Sequence, residues 1–162
     1  MSVTMRVEGL RDIEKALAKL PAVTAKGVAR RAMKKELAPV AQMANALWPG
    51  DNNDVFKITS KLTRSQKRHA QSAGFSRSIT NVYVGANASR YGGTPHAHLI
   101  EFGTGPRFTK RGAFRGSVAP QPMLQPAWDM HKRQILAGLG ARMWDEITKT
   151  MARRAARAAR QA

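Results

Sequence analysis

Residues 126–158 read PAWDMHKRQILAGLGARMWDEITKTMARRAARA, and this stretch decides the fold. Ile135, Leu139, Met143, Ile147 and Met151 recur in steps of four, with Leu136 and Trp144 beside them. That spacing keeps apolar side chains on one face of an α-helix. A helix over about 126–158 is roughly 50 Å long at 1.5 Å per residue, against the roughly 30 Å diameter of a small domain. One end therefore projects or the helix bends, and Gly138 and Gly140 are the expected soft point.

Working outward, 105–122 is rich in Gly, Pro and Arg and carries Phe108 and Phe114. It reads as a flexible basic loop, centred on 105–119, or a loose hairpin. Before it, Thr94-Pro95, HAHLIEF and Gly103 punctuate a short helix: a capping residue, a proline suited to the first turn and a glycine stop. Leu99, Ile100 and Phe102 are expected to pack inward, with His98 and Glu101 making hydrogen bonds. SITNVYVG (78–85) is the strongest strand in the chain, β-branched and aromatic, and Val55, Phe56, Ile58 and Leu62 suggest another over 55–62. TRSQKRHAQSAG (63–74) reads as a basic connector, and the run from Trp48 to Asn53 as a turn cluster.

Further upstream, 22–47 is Ala-rich and helical, with Leu37, Val40, Ala44 and Leu47 as one stripe and Lys26, Arg30, Arg31, Lys34 and Lys35 on a wet side. Pro39 should kink or divide that helix. Leu10, Ile13, Leu17 and Leu20 form a first helix ended by Pro21, and SVTMRVE (2–8) alternates as a short strand. The expected fold is α+β, a small and mainly antiparallel sheet packed by long N-terminal and C-terminal helices. Length favours a single domain over 1–162, with an Arg/Ala-rich helix end at 151–162.

Of 69 apolar residues, 26 are Ala, so the larger ones supply one modest core. The chain carries 28 Lys or Arg against 10 Asp or Glu, a net charge of +18. The excess falls as +5, +5, +3 and +5 over 1–50, 51–92, 93–122 and 123–162. So even a spread argues against one dedicated nucleic-acid-reading element and for acidic surroundings. With no Cys, disulfides, thiolate metal sites and a Cys nucleophile are excluded. The longest uncharged run, Leu37 to Gly50, is too short for a membrane span. The opening MSVTMRVEGL has no apolar signal region. A soluble intracellular protein without a membrane partner is expected.

Catalytic chemistry finds no foothold. There is no nucleophile elbow, phosphate loop, HExxH or dinucleotide fingerprint. The acids of GDNND (50–54) lack calcium-loop spacing. His96, His98 and Glu101 are the densest polar cluster, but 96 and 98 fall on different helix faces, which disfavours a metal site. No catalytic residue, metal or cofactor is expected. RFTKRGAFRGS (107–117) interleaves Arg, Gly and Phe as nucleic-acid-binding segments do. Arg107, Lys110, Arg111 and Arg115 there, with Arg153, Arg154, Arg157 and Arg160 at the end of the chain, are candidate contacts for nucleic acid or an acidic partner. A basic nucleic-acid-binding protein is thus one reading of the chain.

Four stretches, in order, carry a resemblance: VEGLRDIEKALAKLP (7–21), VYVGA (82–86), HAHLIEFGT (96–104) and PQPMLQPAW (120–128). Together they resemble the neck, or tail-completion, proteins of long-tailed, lambda-like bacteriophages, the head–tail connector group. The stretches 51–75 and 151–162 lie outside the match. The resemblance implies a virion structural protein, assembled in the host cytoplasm and without catalysis. It would form a homo-oligomeric ring, sixfold in the family, at the head-proximal end of the tail. Expected partners are the tail tube or tail terminator protein and the head-closure or connector proteins, with genomic DNA passing in the channel. In such a ring Glu101, Phe102, Gly103 and Thr104 form a turn that faces the core or a partner. Phe108, Phe114, Met123 and Trp128 are candidate interface anchors. Intrachain packing is the simpler expectation for Phe102.

Overall fold

The computed structural model describes residues 10–51, 54–61, 80–87 and 94–161. The strand expected at 2–8 and the connector at 63–74 lie outside them. The fold is α+β. In chain order come α1 (Leu10–Ala18), α2 (Ala22–Glu36), α3 (Ala38–Ala46), β1 (Phe56–Thr59), β2 (Tyr83–Ala86), α4 (Ala97–Phe102) and α5 (Leu124–Ala159). The described residues divide into two compact units. One holds the described parts of Met1–Leu37, Ser60–Val82 and Lys132–Ala162; the other holds those of Ala38–Thr59 and Tyr83–His131.

The described elements of the first unit are helices. Pro21 sits at the start of α2 with φ −54°, the angle its ring imposes. Pro39 has no N–H to offer the Lys35 carbonyl, so the helical ladder closes at Leu37 and a new helix starts at Ala38. The expected division therefore falls two residues ahead of the proline. Ile13 of α1, Val28 of α2 and Ile147 of α5 form the core, with Ala16, Leu17, Leu20 and Met143 packed around them. The apolar stripe of α5 is only partly used: Ile135 and Ile147 are buried, while Leu136, Trp144 and Met151 are exposed. The helix continues without a break through Gly138 and Gly140. Gly138 instead makes room: a Cβ there would lie 2.8 Å from Glu36 Oε2, whose partner carboxylate oxygen accepts from Arg142 Nε at 2.8 Å.

The largest polar event in this unit is Glu146. It is 1% exposed, and its carboxylate accepts from Lys35 Nζ and, at 2.8 Å, from Arg31 Nε. Arg31 Nη2 also donates to the buried Thr150 hydroxyl at 3.0 Å. The hydrogen bond from Lys35, then that from Arg31, pull the Glu146 carboxyl from an ordinary 4.5 down to about 2. Folding thus favours the ionised form, and that contribution is complete above the unfolded value. It fades as pH falls from about 4.5 toward 2. Linkage sets its size at about 3 kcal/mol. Urea denaturation should place Glu146→Gln about that far below the parent at pH 7, with the gap closing toward pH 2. A constant gap across the window would show that the ion pairs contribute no acid-labile stability.

In the second unit β1 and β2 pair antiparallel, Phe56 opposite Ala86 and Thr59 opposite Tyr83. Both strands are shorter than the sequence suggests, and the second is shifted toward its Gly85 end. Helix α3 packs on this sheet through buried Val40, Ala41 and Ala44, while Leu47 at the end of the same stripe is exposed. Asn45 fixes the join. Its Nδ2 donates to Phe56 O at 2.9 Å and its Oδ1 accepts from Phe56 N at 2.7 Å, so one side-chain amide pairs both backbone groups of the first residue of β1. Trp48 lies edge-on to Phe56, ring centroids 6.1 Å apart.

Candidate functional site

The second unit also holds the turn after α4, built around Glu101. Its carboxylate is buried at the N-terminus of α5. It accepts from the backbone N–H of Met123 (2.9 Å), Leu124 (3.0 Å) and Gln125 (3.3 Å). The first N–H groups of a helix have no partner within it and carry the positive end of its dipole. Glu101 thus serves as a long-range N-cap. Asp129, one turn into α5, accepts from Gln125 Nε2 at 2.9 Å on the exposed side.

Gly103 follows with φ 71° and ψ 179°, a region open essentially to glycine alone. A Cβ there would lie 2.8 Å from both Val118 O and Pro120 N. This glycine lets two backbone segments touch. Thr104 then opens a ladder: its N–H donates to Val118 O at 2.9 Å, and its hydroxyl accepts from Val118 N at 3.0 Å. Gln121 N donates to Ile100 O at 2.8 Å, tying the returning chain to α4.

Between these ties runs a hairpin, the second of the two forms the sequence suggests, and it is closed by an ordered ladder and not left as a flexible loop. Phe108 bridges Phe114, and Arg107 and Arg115 continue the ladder, with Arg115 N donating to Arg107 O at 2.7 Å. At the tip, Gly112 N donates to Thr109 O at 2.9 Å and Gly112 has φ 81°. This is a three-residue hairpin loop with glycine at its left-handed position. The Thr109 hydroxyl accepts from Ala113 N at 3.0 Å and closes the tip. Phe108 and Phe114 pack with their ring planes tilted by 55° and centroids 5.5 Å apart, yet stay 63% and 62% exposed. Arg107, Lys110, Arg111 and Arg115 surround them, all exposed.

The expected site residues therefore separate by role. Glu101, Gly103 and Thr104 are the anchor of the hairpin. Met123 is 1% exposed and belongs to the interior, not to a docking face. Its partner candidate Trp128 is exposed. Phe102, expected to pack inward, is 79% exposed because α4 turns its buried side, Ala97 and Glu101, the other way. Leu99 and Ile100 are half-buried. His98 is exposed with Nδ1 3.0 Å from Pro95 O. The Glu101 carboxylate is taken up by backbone N–H groups, and among the described residues no three His, Asp or Glu side chains gather as metal ligands. Arg153, Arg154, Arg157 and Arg160 are exposed at the end of α5. Sequence reasoning missed Asn45, whose amide reaches Phe56 across a turn, and Arg31, Lys35 and Glu146, whose contacts join residues more than a hundred positions apart. No described helix is long and apolar enough to cross a membrane. Comparison with protein-family models, curated proteins and solved structures finds no match to this chain.

Proposed function

We propose that this chain is a non-enzymatic assembly protein of a bacteriophage neck, forming a ring at the head-proximal end of the tail and joining it to the filled head. The hairpin 104–118 carries the reading. It presents an exposed aromatic pair with four cations and is held at its base by Glu101, Gly103 and Thr104. Ring interfaces join two different surfaces of the same subunit, and a projecting hairpin supplies one of them. Large aromatics beside Arg are the residues that dominate binding energy at such contacts. The order of the four family-like stretches supports the same reading, and the EFGT stretch coincides with the hairpin anchor. Assembly partners are the tail tube or terminator protein and the head-closure proteins, and the virion is the place of action.

Electron microscopy and light scattering of the purified protein, alone and with tail tubes, test this directly. A ring-sized species is expected in at least one condition. Phe108→Ser with Phe114→Ser should weaken association about 30-fold or more, the effect of losing a hot spot worth about 2 kcal/mol. Circular dichroism should remain that of the parent, since both rings are exposed. A chain that stays monomeric and ignores tail tubes would refute the proposal.

A further inference from the structure

The first unit carries a groove of about 410 Å³ between α2 and the last turns of α5. Val23, Thr24, Gly27 and Arg31 line one wall; Thr150, Arg153, Arg154 and Arg157 line the other. We propose that this groove binds the phosphodiester backbone of a nucleic acid, without reading its bases. The site is independent of ring assembly and of the hairpin.

Arg31 makes the groove a built site. Its Nε is held by Glu146 and its Nη2 by Thr150, so the guanidinium is fixed in place before any ligand arrives. Its remaining nitrogen, Nη1, lies 3.6 Å from where a Cβ of Gly27 would stand. Glycine inside a helix costs about 1 kcal/mol relative to alanine, and here it leaves the floor beside that nitrogen open. Arg153, Arg154 and Arg157 have no acidic partner among the described residues. A preset guanidinium with three unpaired ones suits the planar, multi-donor recognition of phosphate oxygens.

Geometry favours a nucleic-acid strand over an acidic peptide. Arg153 and Arg157 lie on one face of α5, one turn apart. They span roughly 6 Å of helix at 1.5 Å per residue. At about 3.4 Å of rise per phosphate on one strand, that matches about two successive phosphates. Val23 is the one large apolar side chain in the lining, so a peptide finds little to anchor its own side chains. No aromatic side chain lines the groove, which removes base stacking and leaves a sequence-independent contact.

Fluorescence anisotropy with a short labelled duplex of random sequence, across a salt series, tests the groove. Each phosphate contact contributes about 0.9 to the slope of log affinity against log salt. Replacing Arg153, Arg154 and Arg157 together by Ala should therefore lower that slope by about two to three and weaken binding about tenfold or more. A charge-matched variant, Arg11→Ala with Lys15→Ala and Lys19→Ala, removes three exposed cations from the α1 region and should lose clearly less. Gly27→Gln keeps every charge and fills the floor, and should weaken binding several-fold while circular dichroism stays unchanged. Equal losses from the two charge-matched triples would overturn the proposal, as would parent affinity in Gly27→Gln. So would displacement of the duplex by poly-glutamate at matched charge, which would assign the groove to acidic protein.

Discussion

Gly103→Ala should destabilise the protein by about 4 kcal/mol, read as a fall in the urea midpoint with the slope unchanged. Two separate costs add at this position. The backbone angles, φ 71° and ψ 179°, are strained for any residue with a Cβ. That Cβ would also stand 2.8 Å from Val118 O and from Pro120 N. Both are main-chain atoms held by their own connections, so neither can swing aside as a side chain would. Gly105 is the control. A Cβ there meets nothing within 4 Å, and Gly105→Ala should stay within about 0.5 kcal/mol of the parent. A Gly103→Ala protein as stable as Gly105→Ala would mean that the turn does not set the path of the chain.

Glu101→Ala should cost a similar amount, about 4 kcal/mol, for a different reason. The carboxylate accepts from three consecutive backbone N–H groups, and Met123 among them is buried. Deleting it leaves these donors without their partner at the positive end of α5, and at buried Met123 water has little access to replace it. Glu101→Gln keeps one carbonyl oxygen and loses the charge, so it should recover roughly half of the loss. Differential denaturation of the three proteins at one pH gives the ranking directly. If Gln and Ala behave alike, the charge carries the whole effect; if Ala matches the parent, Glu101 is no cap.

The same pair of residues shows what the sequence makes legible. The helix over 126–158 is readable because its apolar steps of four are local, and the observed α5 exceeds that span by two residues at its start and one at its end. The turn after HAHLIEF is readable from Gly103. The partner of Glu101 is not, because it lies on backbone N–H groups 22 to 24 residues away, and amide groups carry no sequence signature. Glu146 is hidden for a related reason: an acid in a helix of alternating charge looks solvated until Lys35 and Arg31 arrive from over a hundred residues away. Phe102 misleads in the opposite direction. An aromatic beside Leu99 and Ile100 suggests a core position, but Ala97 and Glu101 claim the inner face of so short a helix. Composition alone also describes 105–119 as loose. The ladder there comes from main-chain pairing between Thr104 and Val118, which Gly and Arg content does not report.

Anchoring at both ends makes the segment between Thr104 and Val118 an interchangeable cassette. Everything that locates it, the Glu101 cap, the Gly103 contact and the Thr104–Val118 pair, lies at or outside its two ends. The residues inside face solvent and owe the frame only a closing turn. The chain can therefore exchange what it displays at the tip, in length as well as in charge, while the scaffold beneath stays the same. The proposed docking surface, arranged this way, can follow a changing partner through substitutions in the thirteen residues 105–117 without touching the anchor beneath.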